Sequence, residues 1–271
     1  MKYLNLGCGY WFHSSWTNVD FVSTGTNVLS HNLLKGIPFE NENFEVVYHS
    51  HVLEHFSKED GEVFLKECFR VIKRNGVIRI AVPDLEVIAK EYTKNLELAL
   101  EGDKEASYNY EWIKLEMYDQ TVRNKSGGDM AKFLSQKEIP NEDYVFGRLG
   151  EEARNIRKMQ PPNPSHSNSP LKFTIFIKNI VKNFYKNIVK VRLKPYQKER
   201  EIGRFRQSGE IHLWMYDRYS LSKILKEIGF AHIEVKTAFT SQIPNWNSYK
   251  LESNNKMIFK PDSLFIEAVK C

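Results

Sequence analysis

A chain of 271 residues with 41% hydrophobic and 27% charged residues has an ordinary globular composition, sized for one large domain or one domain carrying an insertion. Three widely spaced cysteines (Cys8, Cys68, Cys271) exclude a disulfide scaffold, and with no Cys-x-x-Cys pair a structural zinc site is not expected. The net charge of +5 is unevenly placed: residues 171–209 hold seven Lys and four Arg against two Glu, which leaves the rest of the chain net acidic.

Over the first eighty residues, short apolar runs punctuated by turn residues predict an α/β pattern. Tyr3–Leu6 reads as a strand ending in Gly7-Cys8-Gly9. Thr17–Asp20, residues 27–30 and Phe44–Ser50 read as the next three strands. A helix capped by Ser57, with Glu59 and Asp60 in its first turn, follows. Its predicted buried face is Val63, Phe64, Cys68 and Val71. Asn75-Gly76 is expected to end it, and residues 77–82 form a fifth strand stopped by Pro83. From Asp84 to about Gln160 the pattern is helical, with a break at Ser126-Gly127-Gly128. Residues 161–170 (PPNPSHSNSP) read as a linker. Residues 171–194 read as a basic amphipathic helix, lysines along one side and Phe173, Phe176, Ile180, Phe184 and Val191 along the other. After Glu210 the α/β pattern returns, with a helix at 220–228 stopped by Gly229 and strands at 232–236 and 264–269. The core is expected at 1–90 and 210–271, split between its fifth and sixth strands by a helical insertion at 91–209, a lid or substrate domain. Lysines interrupt the most apolar run, so no bilayer span is expected. A strand-like run beginning at Lys2 argues against a signal peptide, and the expected setting is cytoplasmic.

Gly7 and Gly9 allow a tight turn and let backbone amides approach a ligand. Asp20, eleven residues after Gly9 at the next strand tip, can accept both hydroxyls of a ribose. A dinucleotide fingerprint needs a third glycine opening a helix. Phe12 stands there instead, and no crossover helix fits before Thr17, which disfavours NAD. The stretch Leu4-Asn-Leu-Gly-Cys-Gly9 followed by Trp16-Thr-Asn-Val-Asp20 resembles the first two motifs of class I S-adenosylmethionine-dependent methyltransferases. Residues 37–48 (IPFENENFEVVY) resemble the family's segment before strand four, and His51-Val-Leu-Glu-His55 the segment after it. Residues 71–80 (VIKRNGVIRI) resemble the run into strand five, with Arg74-Asn75 where Pro-Gly is usual.

This resemblance, over residues 3–84, implies a Rossmann-like, doubly wound, mostly parallel seven-stranded sheet and an enzyme using S-adenosyl-L-methionine. It implies that Gly7, Cys8 and Gly9 line the methionine part of the cofactor and that Asp20 holds the ribose. Asn32 and Leu33 would lie at the adenine, where the amide oxygen of Asn32 replaces the family's usual acidic residue. Ser50 and His51 would face the cofactor.

Methyl transfer from a sulfonium is an in-line displacement, so the protein mainly positions the acceptor and, for a hydroxyl, can remove its proton. The candidate catalytic residues are His212, Asp84 and His55. Asp84 is equally suited to cap the following helix. His51-Val-Leu-Glu-His55 also spells an inverted zinc-protease pattern, but it straddles a strand end and a turn, which disfavours a protease. No metal is expected; the alternative is a divalent ion on His51, Glu54 and His55. Asp119, Gln120 and Arg123 are candidate substrate-binding residues beside the double glycine. His212, Trp214 and Tyr216 alternate like a strand, so they are expected to share one face, either as walls for a sugar or ring substrate or as core.

The segments around Tyr118–Arg123 and His212–Asp217, with Lys260–Glu267, resemble a subgroup of bacterial methyltransferases found with surface-polysaccharide enzymes. That implies O-methylation of a glycan or glycolipid precursor in polysaccharide biosynthesis. The alternatives are a metal-assisted ring O-methyltransferase and a non-catalytic methyltransferase-like module. A glycosyltransferase is disfavoured because the chain has no Asp-x-Asp. The basic helix at 171–194 can dock on the anionic inner face of a membrane or pack on the domain. Nucleic acid is disfavoured, because few aromatics stand among the basic residues at 194–206.

Overall fold

The computed structural model describes residues 1–150, 153–154, 196–254 and 257–271. The linker expected at 161–170 and the basic helix expected at 171–194 lie outside the described residues. Seven strands form one sheet: β1 (Tyr3–Leu6), β2 (Thr17–Asp20), β3 (Val28–Ser30), β4 (Phe44–Ser50), β5 (Ile72–Pro83), β6 (Phe230–Lys236) and β7 (Ser263–Lys270). Their order is β3-β2-β1-β4-β5-β7-β6. All pairs are parallel except those of β7, which runs antiparallel to both β5 and β6. This is the expected Rossmann-like, mostly parallel architecture. Among the described residues, no helix is long and apolar enough to cross a membrane.

Alternate residues of each strand enter opposite faces of the sheet. Leu4, Leu6 and Val47 join one core, beneath α1 (Lys58–Val71) and a helix at Arg218–Ile228. Tyr3, Val46 and Tyr48 join an aromatic core on the other face with Trp16, Trp246 and Leu251. That face is covered by the short loop before β2 and by the segment between β6 and β7, which explains how the sheet closes without a crossover helix after Gly9.

Helix α1 starts where the Ser57 cap predicts, its hydroxyl accepting from the Asp60 amide. It buries Phe64, Leu65, Cys68 and Val71, but Val63 is 60% exposed. Asn75-Gly76 does not end the helix. The chain turns at Ile72 into β5, and the glycine lies inside the strand at a register shift against β4. A Cβ on Gly76 would stand 2.9 Å from the Glu45 carbonyl oxygen, so only glycine allows this approach.

The insertion opens with α2 (Leu85–Leu100), α3 (Lys104–Val122), α4 (Gly128–Leu134) and α5 (Glu142–Leu149); a described helical stretch at 196–206, α6, precedes the return to the core. The Arg218–Ile228 helix is therefore α7. The insertion has its own small core of Trp112, Met130, Leu134, Val145 and Leu149. Trp112 is fully buried, and its indole donates to Glu116 (3.0 Å), which also pairs with Arg148. Trp112→Ala is expected to cost about 3–5 kcal/mol, read as a lowered urea midpoint for the insertion.

His49, on β4, is fully buried, its ring edge-on to Phe64 at 5.1 Å and both nitrogens without partners. Burial pushes its imidazole down to about 4. The unfolded chain takes up this proton near pH 6.5 while the folded protein refuses it down to about pH 4. The contribution is therefore complete above pH 6.5 and is lost on acidification through that window, by up to about 1.4 kcal/mol per pH unit. Stability of His49→Leu measured against pH should show a correspondingly shallower acid slope.

Candidate active site

The site forms at the carboxyl ends of β1, β2 and β4, where open parallel sheets bind ligands. Gly7 (φ +62°) and Gly9 (φ +52°) both adopt left-handed conformations. The Gly7 amide donates to the Val19 carbonyl (2.8 Å), locking the turn to β2, and the Gly9 amide donates to Asp20 Oδ2 (2.8 Å). A Cβ on Gly7 would meet Val52 Cγ2 at 2.3 Å, whereas one on Gly9 would meet nothing within 4 Å. The loop thus packs tightly on one side and opens to a ligand on the other. Cys8 is buried between them, and burial pushes its thiol up to about 12, so it is not a nucleophile.

Three cavities meet at His51. The first is lined by Gly7, Cys8, Gly9, Ser50, Glu252 and a stacked pair, Trp11 and Phe259, with ring centroids 4.3 Å apart. The second holds Asp20, Asn32 and Leu33, with Gln207 and Ser208 of the insertion. The third, about 350 Å³, is lined by Glu54, His55, Gln120, Arg123, Glu210 and His212. His51 borders all three. It is also one of six described non-glycine residues at positive φ (+54°).

His51 Nε2 lies 2.8 Å from Ser263 Oγ, and its Nδ1 lies 3.2 Å from Glu54 Oε1. Glu54 is fully buried on a 3-10 turn at Leu53–His55, and neither carboxylate oxygen has a well-aligned hydrogen bond. Burial alone would raise its pKa, but the imidazoles of His51, His55 and His212 together hold it well below the usual carboxylate range. The Glu54 carbonyl accepts from the amides of Leu213 (2.8 Å) and Trp214 (3.2 Å), which fixes His212 against the turn. The His55 and His212 rings meet edge to face at 4.9 Å, and burial pushes the His212 imidazole down to about 3.

Several expected roles are corrected by this geometry. Residues 212–216 do not form a strand; only Tyr216 makes a bridge, to Asp84. His212 faces the third cavity, Trp214 is 40% exposed under Lys58, and Tyr216 is buried in the core against α1, so the three do not share one face. Asp84 caps α2, its Oδ1 accepting from the amides of Glu86 (3.0 Å) and Val87 (3.3 Å). That is the helix-capping alternative, and it engages Oδ1 of the carboxylate. Asp119 is spent on structure too: it accepts from the amides of Asp129 (2.8 Å) and Met130 (3.3 Å) and packs on Gly128 at the start of α4. Gln120 and Arg123 do reach the third cavity, where Arg123 is paired with Glu210. The Asn32 amide oxygen already accepts from Leu34 (3.0 Å), capping a short turn at the edge of the second cavity. The alternative metal set of His51, Glu54 and His55 is also redrawn: both His51 nitrogens have partners, and the donors that converge are those of Glu54, His55 and His212. The sequence reading missed Ser263, Glu252 and Glu210. Ser263 sits in the 260–267 segment singled out by resemblance, while Glu252 carried no sequence signal.

Residues 4–80 match the family model described as "Methyltransferase domain". Similar solved structures include a SAM dependent methyltransferase from Archaeoglobus fulgidus, with 13% identity, a TM-score of 0.38, 99% of this chain covered and 86% of that one. Another is a SAM-dependent methyltransferase, possible histamine N-methyltransferase, from Thermotoga maritima, with 12% identity, a TM-score of 0.41, 100% of this chain covered and 82% of that one. No curated protein matches the chain. The family match falls on the glycine loop, Asp20 and the strands that carry them. Residues 4–80 thus form a methyltransferase domain, and S-adenosylmethionine is the cofactor of that domain.

Proposed function

We propose that this methyltransferase transfers its methyl group to a hydroxyl oxygen of a glycan or a similarly polyhydroxylated acceptor. The observation that carries the reading is the wall of the third cavity. Glu54, Gln120, Arg123, Glu210 and the imidazoles of His55 and His212 offer many hydrogen-bonding groups, and its described lining contains no Phe, Tyr or Trp. Met130, Leu134 and Leu149 add an apolar patch, and the hydroxyls and C–H face of a sugar match that mixture of polar groups and small apolar surface. The lipid-linked form of the acceptor was expected from residues 171–194, which lie outside the described ones.

The first two cavities fit the cofactor. The backbone at Gly7 and Gly9 and the side of Ser50 would hold its amino-acid end, Asp20 the ribose, and Asn32 with Leu33 the adenine edge. When bound, S-adenosylmethionine supplies a methyl carbon on a sulfonium, already activated for displacement. The chain's own task is to place the hydroxyl in line and take its proton. His51 stands where the three cavities meet, so its Nε2, now bonded to Ser263, is placed to accept that proton while the Glu54 carboxylate stabilises the imidazolium. His51→Gln is expected to lower kcat by about 10²–10⁴-fold with a smaller change in KM.

The test of the acceptor class uses S-adenosylmethionine with a labelled methyl group and a panel of oligosaccharides, sugar nucleotides, catechols and amines. The expected product is a sugar methyl ether. Labelling of catechols or amines alone would overturn the reading.

A further inference from the structure

We propose that Glu54, His55 and His212 bind a divalent transition-metal ion at the floor of the third cavity. One donor atom from each residue lies within 4.8 Å of the others. Two ligands at about 2.0–2.2 Å from one ion stand at most about 4.4 Å apart, so small side-chain rotations bring the set into contact. The feature that demands an occupant is Glu54, a fully buried carboxylate with both oxygens lacking an aligned hydrogen bond. A buried carboxylate left this way is costly unless something supplies the missing charge.

The surroundings of the three residues match those of metal ligands. His55 Nδ1 stands 3.1 Å from the Ile211 carbonyl oxygen. Donation there fixes the tautomer and leaves the Nε2 lone pair for an ion, the usual outer-shell arrangement. His51 Nδ1 stands 3.2 Å from Glu54 Oε1, and the Glu54 carbonyl receives the Leu213 and Trp214 amides. The histidine reached from the far side of the insertion is thereby registered against the strand-four turn: Ile211 and His55 are 156 residues apart in the chain. Two imidazoles and one carboxylate form a donor set suited to Zn²⁺, Co²⁺, Mn²⁺ or Fe²⁺ rather than to Ca²⁺ or Mg²⁺, which favour all-oxygen sites. Three protein ligands leave positions open toward the cavity. The use of such an ion, to hold an acceptor hydroxyl and ease its deprotonation, rests on the proposed methyl transfer; its binding does not.

The test is titration of the full chain, stripped with EDTA and desalted, with Co²⁺ in the absence of cofactor and acceptor, followed by visible absorption. One equivalent is expected to give a d–d band, and affinity is expected to fall at least ~100-fold in both His212→Gln and His55→Gln while His13→Gln titrates like the parent. Of the three cavities His212 borders the third alone, so unchanged S-adenosylmethionine affinity in His212→Gln shows that this variant is folded. Absence of the band, parental Co²⁺ affinity in either ligand variant, or displacement of Co²⁺ by a tenfold excess of Mg²⁺ would overturn the proposal. Failure of the acceptor reading is scored separately, by the methyl-labelling panel.

Discussion

Gly7→Ala is expected to weaken S-adenosylmethionine binding at least ~100-fold, an effect of the two separate strains the substitution creates. The residue sits at φ +62°, where an L side chain costs about 1–2 kcal/mol. The new methyl would also stand 2.3 Å from Val52 Cγ2, and a β-branched side chain has few rotamers into which it can retreat. Val52 packs on the main core and adjoins His51, so relief by moving it displaces the residue common to all three cavities. Calorimetric titration with the cofactor reads the loss directly. Adding Val52→Ala should restore part of the affinity by removing the clash but not the backbone strain. Gly9→Ala should be milder, because its Cβ would meet nothing within 4 Å. Wild-type affinity in Gly7→Ala would show that this turn does not hold the cofactor.

Arg79→Met should cost about 3–5 kcal/mol of stability, the usual result of removing one partner from a buried ion pair. Arg79 is fully buried on β5 between the carboxylates of Glu252 and Glu267, with its guanidinium 4.3 Å from the centre of the Trp246 ring. It also donates to the Thr237 (2.9 Å) and Thr240 (3.0 Å) carbonyls, so a single side chain pins the segment between β6 and β7 to the sheet. Burial pushes Glu252 up to about 7 even with Arg79 beside it. A carboxyl whose folded pKa lies above its unfolded value favours folding most while protonated and loses that advantage as pH rises from about 4.5 through 7. Without Arg79 the carboxyl would titrate higher still, so the penalty should be larger at pH 8 than at pH 5. Because Glu252 lines the first cavity, cofactor affinity should fall as well. Urea denaturation at both pH values is the measurement; a penalty independent of pH would contradict this account of the cluster.

The parts of the site that the sequence revealed are those built by local rules. Strands β1, β2 and β4 appear as short apolar runs, and the glycine loop and Asp20 stand at their ends, where the backbone itself decides what binds. The helix starts at Ser57 and Asp217 follow capping chemistry, although the second helix begins two residues earlier than its apolar pattern suggested. The misreadings arise where a local pattern had two structural outcomes. Alternation at 212–216 imitates a strand, yet the segment is held by amides donated to the Glu54 carbonyl rather than by a sheet neighbour. Asp84 and Asp119 have the chemistry of a base and a substrate ligand, and both accept from helix amides, two and three residues on for Asp84 and ten and eleven for Asp119.

What the sequence by itself determined is the class of protein: a parallel α/β core with a glycine turn and an acidic strand tip, because periodicity, turn chemistry and capping act within a few residues. Only the tertiary structure decided which groups share a cavity. It brought His212 to Glu54 and His55, and Glu252 beneath the glycine loop, through contacts between residues more than 150 positions apart. Such contacts are set by the packing of the insertion and of the β6–β7 segment on the sheet, and no pattern within either segment specifies its distant partner.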